Sequence, residues 1–329
     1  MLIPKFGPLK LQILQYADDI VILDHTKIGL QRSLNALHSY NVANHLLLNA
    51  NKSKILIFGS FKHKVSASWR IGPQTIASCH TYKYLGIWFS DRNSPYKQKQ
   101  EVIKKANSTI FALKRLHQHL LSPSATGILT VLRAKLIPAV NYGHLAYPGQ
   151  FDKLFDSIQT KAYKSILGIA KRARGARVRA ELGLAQQDLQ CLMAAVLYYL
   201  STLRVGLQTV SLRAAICGIF QEASSPWGIY LKKAIEVLGI VEESLANPII
   251  PISKWKEVLK REVKRLSLER DINSTALSEI SLATNTSYKA GLAQGYLNEA
   301  LPQRMRSMIL NLRLHTLPLG DFNPKWAYP

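Results

Sequence analysis

Hydrophobic and polar positions change rhythm twice along the chain. The stretch Leu11-Gln12-Ile13-Leu14-Gln15-Tyr16-Ala17-Asp18-Asp19-Ile20-Val21-Ile22-Leu23 places two short apolar runs, free of proline, on either side of adjacent acids. That pattern predicts a β-hairpin with Asp18 and Asp19 at its tip. Leu30, Leu34 and Leu37 then recur at helical spacing and predict a helix ending near Asn44. Lys54 to Phe58 reads as a strand stopped by Gly59, and Val65 to Ile71 as another that turns at Gly72-Pro73. Tyr82 to Phe89 is aromatic and strand-prone, with Gly86 marking a bulge or a close backbone approach.

From about Pro95 the period becomes helical. Tyr96 to Leu120 predicts a long helix with Ile103, Ile110, Leu113 and Leu116 on its apolar side. Ser122-Pro123-Ser124 is a break and an N-cap signal, opening a helix through Leu136 before Pro138. Further helices are expected over 151–169 and 188–204, and beyond Gly206 with breaks at Ser225-Pro226 and Asn247-Pro248. Residues 254–270 are heavily charged, and the last ten look like an unfinished tail. The expected class is α+β in three parts: a mixed region over 1–92, helices over 93–205, and more helices over 206–329.

Composition narrows the partners. The chain has 329 residues at 47% hydrophobic content, enough for two or three cores. Lysine and arginine total 43 against 20 acids, a net charge of +23, which calls for nucleic acid or an anionic membrane surface. The longest apolar stretch, Leu189 to Leu203, contains Gln190, two tyrosines and Ser201 and falls short of the roughly 20 residues a spanning helix needs. Met1 to Lys10 has two prolines and no apolar run of signal-peptide length. No membrane is therefore expected, and nucleic acid is the better partner. Cys79, Cys191 and Cys217 are odd in number and widely spaced, which suggests reduced thiols in an intracellular protein and no zinc pair.

The chemistry sits at the hairpin tip. Neighbouring carboxylates repel, and each has its pKa raised unless a cation neutralises the pair. Magnesium takes oxygen ligands in near-octahedral geometry. Phosphoryl transfer onto a nucleic-acid end uses two such ions about 3.5–4 Å apart. A polar turn is the plain alternative for these two acids.

Three segments together resemble the reverse transcriptases of non-LTR (LINE-type) retrotransposons. Tyr16-Ala17-Asp18-Asp19 in its apolar frame resembles their metal-binding hairpin. His45-Leu46-Leu47-Leu48-Asn49-Ala50-Asn51-Lys52-Ser53-Lys54 resembles the leucine-rich motif that ends in Asn-x-x-Lys-Ser/Thr, and Tyr82-Lys83-Tyr84-Leu85-Gly86-Ile87 resembles the primer grip. The helical remainder is similar in pattern to the thumb and linker of such polyproteins. The resemblance implies a partial polymerase palm sheet over 1–92, a thumb-like domain over 93–205 and a linker region over 206–329. It implies RNA-directed DNA polymerase activity in the intact parent, with Mg2+ or Mn2+, deoxynucleotides, an RNA template and a DNA primer or target. It also implies a ribonucleoprotein of nucleus and cytoplasm. Asp18 would be the principal metal ligand and Asp19 its neighbour. Tyr16 would line the floor under the nascent end, and Lys52 would protonate the leaving pyrophosphate. Tyr84, Leu85 and Gly86 would set backbone against the primer. For Lys52 an exposed loop lysine is the alternative, and for the Tyr-Leu-Gly segment a sheet edge packed on a helix.

Lys161, Lys164, Lys171, Arg172, Arg174, Arg177 and Arg179 precede any acid until Glu181, and Lys104, Lys105, Lys114 and Arg115 offer a second basic surface. Both groups are candidate phosphate contacts. His117 and His119 have no carboxylate partner nearby and read as solvated side chains. No Walker-type loop and no G-x-S-x-G elbow occurs. The family's further metal-binding aspartate and its Pro-Gln-Gly segment belong before the hairpin, and Met1 to Gln15 contains neither. The chain is accordingly expected to be a slice of a longer polyprotein or a decayed copy. Its activity would require the upstream palm, and its sheet would be left with an exposed edge. A non-catalytic RNA- or DNA-binding module derived from such an element is the alternative.

Overall fold

The computed structural model describes residues 5–6, 9–10, 12–59, 68–119, 125–204, 224–245 and 249–274, together with 305 and 307–309. It is an α+β protein in which small two-stranded sheets occupy the first part and helices the rest. Two compact units emerge: Met1–Gln100 with Tyr198–Lys232, and Glu101–Leu197 with Lys233–Pro329. The expected boundary after residue 205 borders on residues outside the described set. Residues 65–67, the Ser122-Pro123-Ser124 break, the Asn247-Pro248 break, Cys217 and the tail lie outside that set. No helix among the described residues is long and apolar enough to cross a membrane.

In the first unit, β1 (Lys5–Phe6) pairs with β2 (Leu9–Lys10). The acidic hairpin then forms as expected from β3 (Ile13–Tyr16) and β4 (Asp19–Ile22), with Ile13 opposite Ile22 and Tyr16 opposite Asp19. Helix α1 (Lys27–Ala43) ends at its Asn44 cap, and its Thr26 cap accepts the Gly29 N–H at 3.0 Å. This satisfies one of the amides a helix start leaves open. Leu34 of α1 is buried with Ile55, Trp69, Ile71 and Ile76, and Ile22, Leu30, Leu37, Leu48 and Ile57 pack around them. Trp69 and Ile71 reach this core from one face of β6 (Trp69–Ile71), as strand alternation requires, while Arg70 faces out. Gln31 of α1 satisfies the intervening backbone, accepting the Arg70 N–H at 3.0 Å and donating to its carbonyl at 2.6 Å.

β6 turns at Gly72-Pro73, where Gly72 has φ +55°, into β7 (Gln74–Ile76). The strand expected over 54–58 is shorter: β5 (Ile55–Leu56) pairs in parallel with β8 (Ser78–Cys79). The stretch 82–89 is two strands rather than one. β9 (Thr81–Tyr84) and β10 (Ile87–Ser90) form a hairpin whose two-residue turn is Leu85-Gly86, at φ +46° and +81°. Positive φ at both central residues is what a right-twisted two-residue hairpin demands. Gly86 therefore marks a turn, not a bulge.

Helix α2 (Tyr96–His119) starts as expected, but its buried row is Gln98, Val102, Ala106 and Ile110, four residues apart. Ile103 and Leu116, at 41% and 50% exposure, stand outside it. The apolar residues of α2 fall on two rows, and the one carrying small Ala106 is the one that closes inward.

In the second unit, α3 (Ala125–Asn141) runs through Pro138 instead of ending before it. The ring removes one helical N–H, yet Leu136 and Val140 flank it fully buried on one face, and that packing carries the helix on. A 3-10 turn (His144–Ala146) leads to α4 (Asp152–Leu167), capped by Gly168. Phe151 and Phe155 stack at 5.5 Å between ring centres. Helix α5 (Gly175–Leu182) was not apparent from periodicity; α6 (Gln187–Leu203) was. Helix α7 (Pro226–Val237) belongs to the first unit as far as Lys232; α8 (Glu242–Leu245) and α9 (Ile252–Ser274) belong to the second. Helix α9 buries Trp255, Leu259, Val263, Ser267 and Asp271 at successive four-residue steps and packs on α5.

Candidate active site and nucleic-acid interface

The hairpin tip of the first unit is an exposed acidic point. Asp18 occupies the turn and Asp19 opens β4, both exposed, and Tyr16 beside them is 65% exposed. Ala17 takes φ +52°, a conformation an alanine holds at a cost, and Gln15 donates to its carbonyl at 3.1 Å. The base of the hairpin is tied to the body: Leu23 N–H donates to the Gln12 carbonyl at 2.8 Å, and Gln12 donates to the Ser33 hydroxyl of α1 at 2.8 Å.

Lys52 lies on a turn that explains its neighbours. Asn49 accepts the Lys52 N–H at 3.1 Å with its side chain, and its carbonyl accepts the Ser53 N–H at 3.1 Å and the Ser53 hydroxyl at 3.0 Å. The Asn-x-x-Lys-Ser spacing is thus the chemistry of one side-chain-closed turn. Tyr82, from β9, donates its hydroxyl to the Lys52 carbonyl at 3.0 Å. Its phenol is pushed above the usual tyrosine range by burial first, then by the charge of Asp19, then by Cys79. Tyr82 thus joins the Lys52 turn to β9 through a hydrogen bond, and the charge of Asp19 at the acidic tip bears on the same phenol. Tyr82 is the site residue that sequence reasoning did not single out. Its signal is the two-residue step to Tyr84, which puts both rings on one strand face. Tyr84, Leu85 and Gly86 form the half-buried end of this hairpin.

The hairpin's other side is braced. Trp88, opposite Lys83, has the Lys97 ammonium 3.6 Å from its ring centre, and Lys97 also donates to Thr81 at 2.9 Å. Gln98 accepts the Trp88 N–H at 2.9 Å.

As metal donors, Asp18 and Asp19 fit a hard cation in kind and fall short in number. Among the described residues no cluster of three or more His, Cys, Asp and Glu could hold an ion. Two carboxylates do not complete a two-ion centre. Among the described residues β3 and β4 pair only with each other, leaving Ile13, Tyr16 and Ile20 at 57%, 65% and 43% exposure.

The second unit holds the basic residues. Lys104, Lys114 and Arg115 are exposed on α2, with Lys105 half-buried. Lys161 of α4 reaches Asn107 of α2 at 3.1 Å. Lys164, one turn on, donates to the carbonyls of Lys171, at 3.2 Å, and Ala173, at 2.5 Å. Burial lowers its pKa. Lys164 thereby holds the loop that displays Lys171, Arg172 and Arg174, all exposed. Arg177 is half-buried. Arg179 is not on this surface. Its guanidinium grips Asp271 through Nη2 at 2.6 Å and Nε at 3.2 Å, and reaches Asp156 at 3.4 Å. That residue is a buried ion pair joining α4, α5 and α9. A basic row not anticipated from the sequence is Lys256, Lys260 and Lys264, exposed on α9 alongside its buried stripe. Its four-residue step was the available signal. Cys79 and Cys191 are free thiols, and burial raises the pKa of each. No protein-family model and no curated protein matches the chain.

Proposed function

We propose that this chain is a portion of an RNA-directed DNA polymerase of the non-LTR retrotransposon type, carrying the primer-end half of the active site and basic helices that hold the nucleic acid. One observation carries the reading: Tyr82, in the third segment that resembles a polymerase motif, bonds to the Lys52 turn of the second, and the charge of Asp19 in the first bears on its phenol. In this reading Asp18 and Asp19 are ligands for Mg2+ or Mn2+, and Lys52 is the proton source for the leaving pyrophosphate. Tyr16, Tyr84, Leu85 and Gly86 face the primer end. Lys104, Lys105, Lys114 and Arg115, with Lys171, Arg172, Arg174 and Arg177, track the phosphates of template and primer. Among the described residues the site has two carboxylates, so the chain by itself is expected to extend no primer on an RNA template with either ion.

The test is the affinity of the full chain for a 3′-recessed DNA primer on RNA against a blunt hybrid of equal length. A polymerase-type site prefers the recessed end, and Asp18→Asn with Asp19→Asn tightens that complex by removing two charges that repel phosphate in the absence of metal. Equal affinity for the two ends, unmoved by those substitutions, would replace this reading with a basic module that binds nucleic acid without an active site.

A further inference from the structure

Helix α2 turns to solvent a surface that carries more than charge. Opposite its buried row of Val102, Ala106 and Ile110, the residues Lys104, Phe111 and Arg115 fall on one stripe, seven and four positions apart. Phe111 is 64% exposed, an uncommon placement for the largest purely apolar side chain of the helix, and the Arg115 guanidinium lies 6.0 Å from its ring centre. On one flank Tyr142, which follows α3, is 52% exposed with the Lys105 ammonium 5.9 Å from its ring centre. On the other flank the Lys161–Asn107 bond brings a further lysine to the helix. Two open aromatic rings, each with a cation beside it, thus share one face with lysines that no acid on that stripe offsets. Glu101 is the only acid in α2, which has six lysines and arginines.

Duplex nucleic acid has no use for such rings, because its bases are already stacked. A single strand does: every unpaired base offers a π face, and a cationic groove follows its phosphates. We infer that the α2 face built on Phe111 and Tyr142, flanked by Lys104, Lys105 and Arg115, is a stacking platform for single-stranded RNA or DNA. This takes the class of partner from the nucleic-acid reading above and does not depend on the acidic hairpin.

Fluorescence anisotropy with the full chain, a labelled oligo-dT and a labelled duplex of equal length tests it. Phe111→Ala is expected to weaken the single strand about tenfold, the worth of one stacked base, with the salt slope unchanged and duplex affinity intact. Lys104→Gln with Arg115→Gln is expected to lower the slope for the single strand by roughly one unit or more, since each phosphate contact contributes about 0.7. Circular dichroism of Phe111→Ala checks that this exposed substitution leaves the helices folded, and Phe111→Trp, which keeps a stacking ring, restores affinity. Single-strand binding indifferent to Phe111→Ala overturns the platform alone. Failure of the unaltered chain to bind either oligonucleotide overturns both this inference and the nucleic-acid reading beneath it.

Discussion

Arg179 separates the two roles a basic residue can have in this protein, and its replacement gives a sharp outcome. The side chain is 11% exposed and its partner Asp271 4%, so Arg179→Met leaves a carboxylate in the interior without its cation. Removing one member of a buried ion pair costs about 3–5 kcal/mol. Asp271 keeps a bond from Gln186 at 2.8 Å and Asp156 keeps the Gln187 N–H at 2.8 Å, which places the expected loss near the lower end, about 3 kcal/mol. Arg179→Lys keeps the charge but cannot fork across both Asp271 oxygens, and should lose about half as much. Arg179→Met combined with Asp271→Leu removes the more deeply buried of the two carboxylates that Arg179 pairs with and should recover part of the stability, the Gln186 amide losing its acceptor at a cost of about 1 kcal/mol and Asp156 its more distant cation. Urea unfolding followed by circular dichroism and by tryptophan fluorescence, to which buried Trp255 of α9 contributes, reads these values as midpoint shifts at constant slope. If Arg179→Met unfolds within 0.5 kcal/mol of the unaltered chain (an ordinary surface substitution) while binding nucleic acid more weakly, the residue is a phosphate contact and the reasoning is refuted.

His144 and Gly72 give two further expected outcomes. His144 donates Nδ1–H to the Asn141 carbonyl at 2.7 Å, its Nε2 is buried without a partner, and burial holds its pKa below the ordinary 6.5. The unfolded chain therefore takes up the proton first. Stability is full above about pH 6.5 and falls as the pH drops toward the folded value, by at most about 1.4 kcal/mol per pH unit. His144→Gln should flatten that limb of a stability–pH curve, and an identical slope would contradict the assignment. Gly72 has φ +55°, and a Cβ there would lie 2.3 Å from the His38 ring of α1. Gly72→Ala should cost about 1–2 kcal/mol through strain and a shifted ring, read in the same urea experiment.

The parts of this fold that the sequence made plain are those where local chemistry and packing agree. The two apolar runs flanking Asp18 and Asp19 and the leucines of α1 formed the hairpin and helix expected, with the helix ending where Asn44 could cap it. Leu85-Gly86 misled because a single glycine in an aromatic run fits a bulge as well as a turn; what decides is positive φ at Leu85, which its side chain does not announce. Pro138 misled for the opposite reason, a local breaker overridden by the burial of Leu136 and Val140 on either side. At the site, the acids, Lys52 and the Tyr-Leu-Gly segment were legible as motifs, while Tyr82 emerged only from the hydrogen bond to Lys52 and the field of Asp19. Arg179 looked like its basic neighbours because its partner Asp271 lies 92 positions away. Long-range ion pairs leave no trace in a local charge count.

The central claim is that the acidic tip, the Lys52 turn and the 81–90 hairpin together face the end of a growing strand. Photo-crosslinking tests it most directly: a DNA primer with a 3′-terminal 4-thiothymidine, annealed to RNA, is irradiated with the full chain and the adducts are mapped by mass spectrometry. Adducts on Tyr16 or on residues 81–86 are the predicted result, and they should disappear when the photoreactive base is moved well upstream of the primer end. Adducts confined to α2, α4 and α9, wherever the base is placed, would contradict it.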